Sequence, residues 1–153
     1  MKVELLDNTK KKKLINYLND SYGIEELPHL IIKSGNDKYR IYSGNLSKEE
    51  LNELAKNIHV ELIGNRIANI DKGDTRISFD AINIPLIKEQ IDENILEIND
   101  EQTIEWMKGN DLQIKIETKS RFVVIKNNND FLGVGRVQRD FIKNYVPKER
   151  RIR

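Results

Sequence analysis

The 153-residue sequence contains no cysteine, which removes disulfides, thiolate nucleophiles and thiolate metal sites together. It has two histidines, His29 and His59. Each stands beside a predicted strand start without paired carboxylates at ligand spacing, so no metal site is expected. Long apolar runs are also missing. None approaches the ~20 residues of a membrane span, and Met1-Lys2-Val3-Glu4 leads into no signal-like apolar core, so the expectation is a soluble, cytoplasmic protein without membrane contact. There is no P-loop and no nucleophile elbow, and Gly133 and Gly135 lack the third glycine and following helix of a dinucleotide fingerprint. Glu49 and Glu50 belong to the first turn of a helix and Asp71 and Asp74 to a turn, so neither pair argues for acid–base chemistry. No cofactor and no catalysis are expected.

Charge is abundant, at 33% of residues against 38% hydrophobic. Apolar runs nevertheless recur along the chain, which keeps it among folding sequences. The formal net charge of +1 hides an asymmetry. Residues 1–100 carry 14 basic and 18 acidic side chains, a net of −4, and residues 101–153 carry 12 and 7, a net of +5. An anionic partner is expected at the basic end.

Asp7-Asn8-Thr9 offers caps for a first helix with Leu14, Ile15, Leu18 and Tyr22 on one face and Gly23 as its stop. The run Lys10–Lys13 opposes the helix dipole and reads as a solvated face, with nucleic-acid contact as the lesser alternative. His29–Lys33 and Lys38–Tyr42 form a predicted hairpin. Ser47-Lys48-Glu49-Glu50 is a capping box, stapled by Leu46 and Leu51, for a second helix burying Leu51, Leu54, Ala55 and Ile58. A strand over His59–Ile70, interrupted near Gly64-Asn65, turns at Asp71–Asp74 into Thr75–Phe79. Residues 1–83 thus read as an α+β domain with antiparallel hairpins.

The segment around Pro85 divides this unit from a second, residues 84–153. Ile95–Ile98 is its first strand. Asn99 or Asp100 caps a short helix that buries Ile104 and Met107, has Trp106 beside that face as a packing anchor, and ends at Gly109. Strands over Leu112–Glu117, Arg121–Lys126, Phe131–Gln138 and Phe141–Val146 complete a small, partly closed barrel.

The most informative stretch is Phe131-Leu132-Gly133-Val134-Gly135-Arg136-Val137, followed by Lys143-Asn144-Tyr145-Val146-Pro147-Lys148-Glu149-Arg150-Arg151. A glycine inside a strand marks a bulge or the close approach of a backbone or ligand, and the cations beside these two suggest an anionic visitor. The order of elements is similar to the PUA domain, an RNA-binding pseudobarrel in which a short helix ending in Gly precedes the strands and a late strand carries Leu-Gly-x-Gly. Leu132-Gly133-Val134-Gly135-Arg136 with Lys143-Asn144…Pro147-Lys148…Arg150 or Arg151 resembles the C-terminal PUA-like domain of the Sun-family RNA 5-methylcytosine methyltransferases. Three departures stand out: Arg136 for the usual Lys, Val134 at an often aromatic position, and Asp140-Phe141 where a turn glycine is common. The catalytic cysteine and glycine-rich cofactor loop of that family are not in this sequence.

The resemblance implies a non-catalytic RNA-binding protein for structured rRNA or tRNA, in ribosome biogenesis or RNA modification, with an RNA methyltransferase acting in trans as a further partner. It places RNA at Gly133, Gly135, Arg136, Lys143, Asn144, Tyr145, Lys148, Arg150 and Arg151. The competing class is a protein-interaction module that binds a methyltransferase or assembly factor through its acidic first domain. A third is a small-ligand enzyme using the cleft between domains.

Overall fold

A computed structural model describes residues 3–57 and 65–153. Ile58, His59 and the first part of the predicted 59–70 strand lie outside the described residues, as does the side chain of Ala55. The fold is α+β. Its first sheet has five antiparallel strands in sequence order: β1 (Val3–Leu5), β2 (Leu30–Ser34), β3 (Lys38–Tyr42), β4 (Asn65–Asp71) and β5 (Asp74–Ile77). Helices α1 (Asn8–Tyr22) and α2 (Lys48–Asn57) separate its hairpins. A 3-10 turn (Ala81–Asn83) and α3 (Pro85–Lys88) lead to a second sheet ordered β6 (Ile95–Glu97), β7 (Phe122–Asn127), β8 (Asp130–Val137) and β9 (Ile142–Asn144). Here α4 (Asp100–Met107) crosses between β6 and β7, which run parallel.

Local chemistry accounts for most element ends. The Asp7 carboxylate accepts from Lys10 N at 2.8 Å, and Gly23, at φ 81°, closes α1 with its N–H on Asn19 O while Ile24 N–H reaches Leu18 O. That pattern is a left-handed glycine cap satisfying carbonyls the helix leaves open. Ser47 and Glu50 exchange the two capping-box bonds, and Asn99 and Gln102 do the same at α4. The predicted turns are also present: Lys72-Gly73 joins β4 to β5, and Asn128, at φ 53°, joins β7 to β8.

Three expectations are corrected. Strand β1 was not predicted, because three residues are too few to show a period. Residues Leu112–Glu117 form no strand: Leu112 alone bridges to Ile142, and Ile114 and Ile116 pack on the core without a ladder partner. Their alternation supplies a buried side, but β9 is three residues long and offers them no length to pair along. The second sheet is accordingly an open four-stranded sheet among the described residues, compatible with the partly closed arrangement expected. In α4 it is Trp106 that is fully buried, whereas Ile104 is 50% exposed. At 100° per residue these two point roughly 200° apart, so one excludes the other. The indole is retained inside because its Nε1–H donates to Leu132 O at 2.7 Å while its rings fill the space under β8.

Two buried clusters sandwich the second sheet. Val123, Ile125, Ile142 and Val146 meet Trp106, Ile98 and Leu112, whereas Val124, Phe131 and Val134 join Leu14, Leu18, Tyr22, Ile67 and Ile82 of the N-terminal part. The linker is bound to both sides. Gln90 accepts from Glu25 N and Glu26 N and donates to Leu86 O, Asp92 N donates to Tyr22 O, and Asn94 O accepts from Val124 N at 2.7 Å. The core therefore runs continuously across residue 84.

Tyr22 ties α1 to the sheet. Its ring is fully buried, its hydroxyl donates to Thr75 O at 2.6 Å and accepts from Ile77 N at 3.4 Å, and burial pushes its pKa above the usual tyrosine range. Tyr22→Phe is expected to cost about 1–3 kcal/mol by urea unfolding, since Thr75 O is left buried without its donor. A loss below roughly 0.5 kcal/mol would show the carbonyl to be satisfied otherwise.

No helix among the described residues is long and apolar enough to cross a membrane. Nor do the described residues contain a group of three or more side chains placed to hold a metal ion.

Candidate nucleic-acid interface

The nine residues singled out in the sequence divide into a buried set and an accessible set. Gly133 and Gly135 are buried in β8. Val124 pairs with Val134 and Lys126 with Phe131, so two residues, Leu132 and Gly133, stand opposite Ile125 alone. This is a β-bulge, and Gly133 takes it at φ 92°, where a side chain would be strained. A Cβ there would also lie 2.9 Å from the Phe79 ring. At Gly135 a Cβ would overlap the Ile142 side chain and come within 3.0 Å of Trp106. Both glycines thus admit protein, not ligand. That corrects the expectation that a visiting backbone occupies the space of their missing side chains.

Asn144 is also internal, at 8% exposure. Its amide donates to Trp106 O at 2.7 Å and Asn110 O at 2.9 Å, its Oδ1 accepts from Val146 N, and its backbone N–H donates to Asp111. Its backbone N–H and both amide hydrogens are thus spent inside the protein, so it has no donor left for RNA. Arg151 donates from Nε to Val146 O at 3.0 Å and lies over Gly109, while Ile152 N–H caps Met107 O at the end of α4. A cation at that terminus also complements the helix dipole. Arg150 pairs with Asp80 at 2.8 Å, and because both are more than half exposed the pair is weak and exchangeable.

Arg136, Lys143, Tyr145 and Lys148 remain accessible. Arg136 pairs directly with Lys143 across β8 and β9, and neither has an ion-pair partner among the described residues. Like charges opposite one another destabilise a sheet by up to about 1 kcal/mol, so this pairing is not there for stability. Beside it a cleft of about 380 Å³ opens between β5 and the second sheet. Lys72, Arg76, Arg121 and Arg136 line it against Asp37, Asp71 and Asp74, and Arg121 is taken up by Asp74 at 3.3 Å. The Tyr145 ring meets Phe122 edge-on at 5.7 Å, and the Arg76 guanidinium stands 5.2 Å from its centroid. A second cleft of about 240 Å³ shares Arg76 and Tyr145 and extends past Phe79 to Pro147.

The sequence did not single out Arg76, Arg121, Phe122 or Lys72. Arg76 had a signal, because alternation puts it on the opposite side from Thr75 and Ile77, which are buried. Its direction toward Tyr145, roughly seventy residues on, depends on how the sheets pack and has no local signature.

Comparison with known proteins decides what this second sheet is. Residues 93–152 match the family described as the PUA domain of methyltransferase RsmF. They are a PUA-like domain. A ribosomal RNA small subunit methyltransferase F from Shewanella oneidensis is 28% identical over 142 residues, which are 92% of this chain and 28% of that protein. The chain therefore spans little more than a quarter of that relative's length. Among solved structures, a conserved PUA domain protein from Thermoplasma acidophilum aligns with a TM-score of 0.56 at 15% identity, covering 91% of this chain and 82% of that one. That likeness is one of fold, and it extends beyond the PUA-like domain into the N-terminal sheet.

Proposed function

We propose that this protein binds structured RNA, ribosomal or transfer, without chemistry of its own, and serves ribosome biogenesis or RNA modification in the cytoplasm. On this reading residues 1–83 are an α+β unit preceding a PUA-like unit over 84–153, and an RNA methyltransferase acts in trans as a further partner. The observation that carries it is the Arg136–Lys143 pair, two uncompensated cations held side by side on an antiparallel ladder next to Tyr145. Phosphate neutralises such a pair, and an aromatic edge beside it suits an unstacked base. Arg150 joins the pair by exchanging Asp80 for phosphate, and the exposed Lys148 is a further phosphate contact on this reading. Gly133, Gly135, Asn144 and Arg151 act indirectly, by holding β8, β9 and the end of α4 in place. Support from kinship is the relation to a ribosomal RNA methyltransferase.

The test is binding of tRNA and of a small-subunit ribosomal RNA transcript across a salt series. Each lost phosphate contact lowers the slope of log affinity against log salt by about 0.7–0.9, so Arg136→Gln with Lys143→Gln should flatten it by roughly 1.5 while leaving the melting temperature unchanged or raised. An unchanged slope and affinity would move the function to a protein partner.

A further inference from the structure

The four-lysine run of α1 does not form one solvated face. Lys10 pairs with Glu4 of β1, which raises its pKa, and Lys11 donates to His29 O at 2.9 Å in a partly buried position that lowers its pKa. Lys12 is exposed, and Lys13 lines a groove of about 400 Å³ between α1 and the first sheet. That groove gathers side chains from several separate segments. Lys33 comes from β2, Tyr39 from β3, Tyr17 from α1 and Lys72 from the β4–β5 turn. Glu4, already engaged by Lys10, is the carboxylate in its lining, and Lys33 lies 5.7 Å from the Tyr39 ring centroid. Lys13, Lys33 and Lys72 form no salt bridge among the described residues, although Glu4 stands opposite Lys33 across the β1–β2 ladder. A part of the chain that is acidic overall thus keeps a cationic, tyrosine-bearing groove.

Lys72 adds an independent observation. Among the described residues three non-glycine residues have positive φ, and two of them are asparagines, Asn94 and Asn128. The third is Lys72, at φ 49°, first in a two-residue hairpin turn where Asn, Asp or Gly is ordinarily placed. A lysine there is strained, and such departures gather at functional positions. Lys72 lines both this groove and the cleft that holds Arg76, Arg136 and Tyr145. The two depressions meet at that residue.

We infer that an unpaired RNA strand continues from the PUA-like face through the inter-sheet cleft, over Lys72, and into the groove between α1 and the first sheet. The N-terminal sheet then supplies a second contact region, with Lys13, Lys33 and Lys72 on phosphates and Tyr17 and Tyr39 against bases. Cations interleaved with aromatic rings suit single strands, whose base faces are free, better than duplexes, whose base faces are stacked away. This inference rests on the RNA reading above.

The full chain is titrated with a labelled oligouridylate of about 12 nucleotides, a length within single-strand site sizes, and with a duplex of equal length. Lys13→Gln, Lys33→Gln and Lys72→Asn together should weaken oligouridylate binding about tenfold or more and flatten the salt slope by about 2. Lys72→Asn alone should weaken binding while holding or raising the melting temperature, because Asn accepts the left-handed backbone. A triple variant with the wild-type slope overturns the groove while leaving the RNA reading intact, provided Arg136→Gln with Lys143→Gln still lowers affinity. Equal or tighter duplex binding overturns the unpaired strand. Wild-type protein that binds no RNA in a salt-dependent way overturns both readings.

Discussion

Gly135→Val is expected to destabilise the protein by about 3 kcal/mol or more, and to lower RNA binding only in proportion to the molecules it unfolds. The added Cβ meets Ile142, which is fully buried, and lies 3.0 Å from Trp106 and 3.3 Å from Lys143 O. The indole is held by its bond to Leu132 O, and the third neighbour is backbone. Overpacking a filled core ordinarily costs about 1–3 kcal/mol, and here the clash involves two rigid neighbours and a ladder at once. Thermal unfolding measured beside affinity separates this from a ligand-contact role. A variant that melts like the wild type but has lost RNA binding would return Gly135 to the interface.

The motif by which the PUA-like domain is recognisable consists largely of residues that hold the domain together. Gly133 makes the bulge, Gly135 clears room for Ile142 and Trp106, Asn144 joins β9 to α4, and Arg151 covers Gly109. Such a motif identifies a fold because packing constraints are what it records. It marks RNA contacts less directly, since a phosphate accepts a cation at many positions.

Elements fixed by neighbouring residues were legible for the same reason. Asp7, Gly23, the Ser47–Glu50 box and Asn99 act within a few residues of their partners, and each cap is one of the residues the sequence offers there. Ile104 and Leu112–Glu117 misled because apolar patterning states that a side chain wants burial, not which neighbour will bury it. The clefts were illegible for a stronger reason: Arg76 meets Tyr145, and Lys72 joins two depressions, only after two sheets have packed.

Asn144→Asp is expected to be the most damaging single-atom exchange in the PUA-like domain, and to be damaging in a pH-dependent way. The exchange replaces Nδ2, which donates to Trp106 O at 2.7 Å and Asn110 O at 2.9 Å, by an oxygen that can only repel those carbonyls while ionised. Val146 N–H keeps its acceptor, but two carbonyls at the end of α4 lose their donor in a site with 8% exposure. Leaving buried groups unpaired beside an uncompensated charge costs about 3–5 kcal/mol. The new carboxyl escapes part of this by taking a proton, so its folded pKa lies above its unfolded value near ~3.9. With the folded value raised, the variant's deficit is smallest below the unfolded pKa, where both states are protonated, and widens as pH rises through the folded one. Urea unfolding of variant and wild type at about pH 4 and pH 7 should therefore show a larger gap at neutral pH. A gap of under roughly 1 kcal/mol at pH 7, or one that does not change with pH, would mean that the Asn144 amide does not hold β9 against α4. The surface on which Lys143 and Tyr145 stand would then need another support.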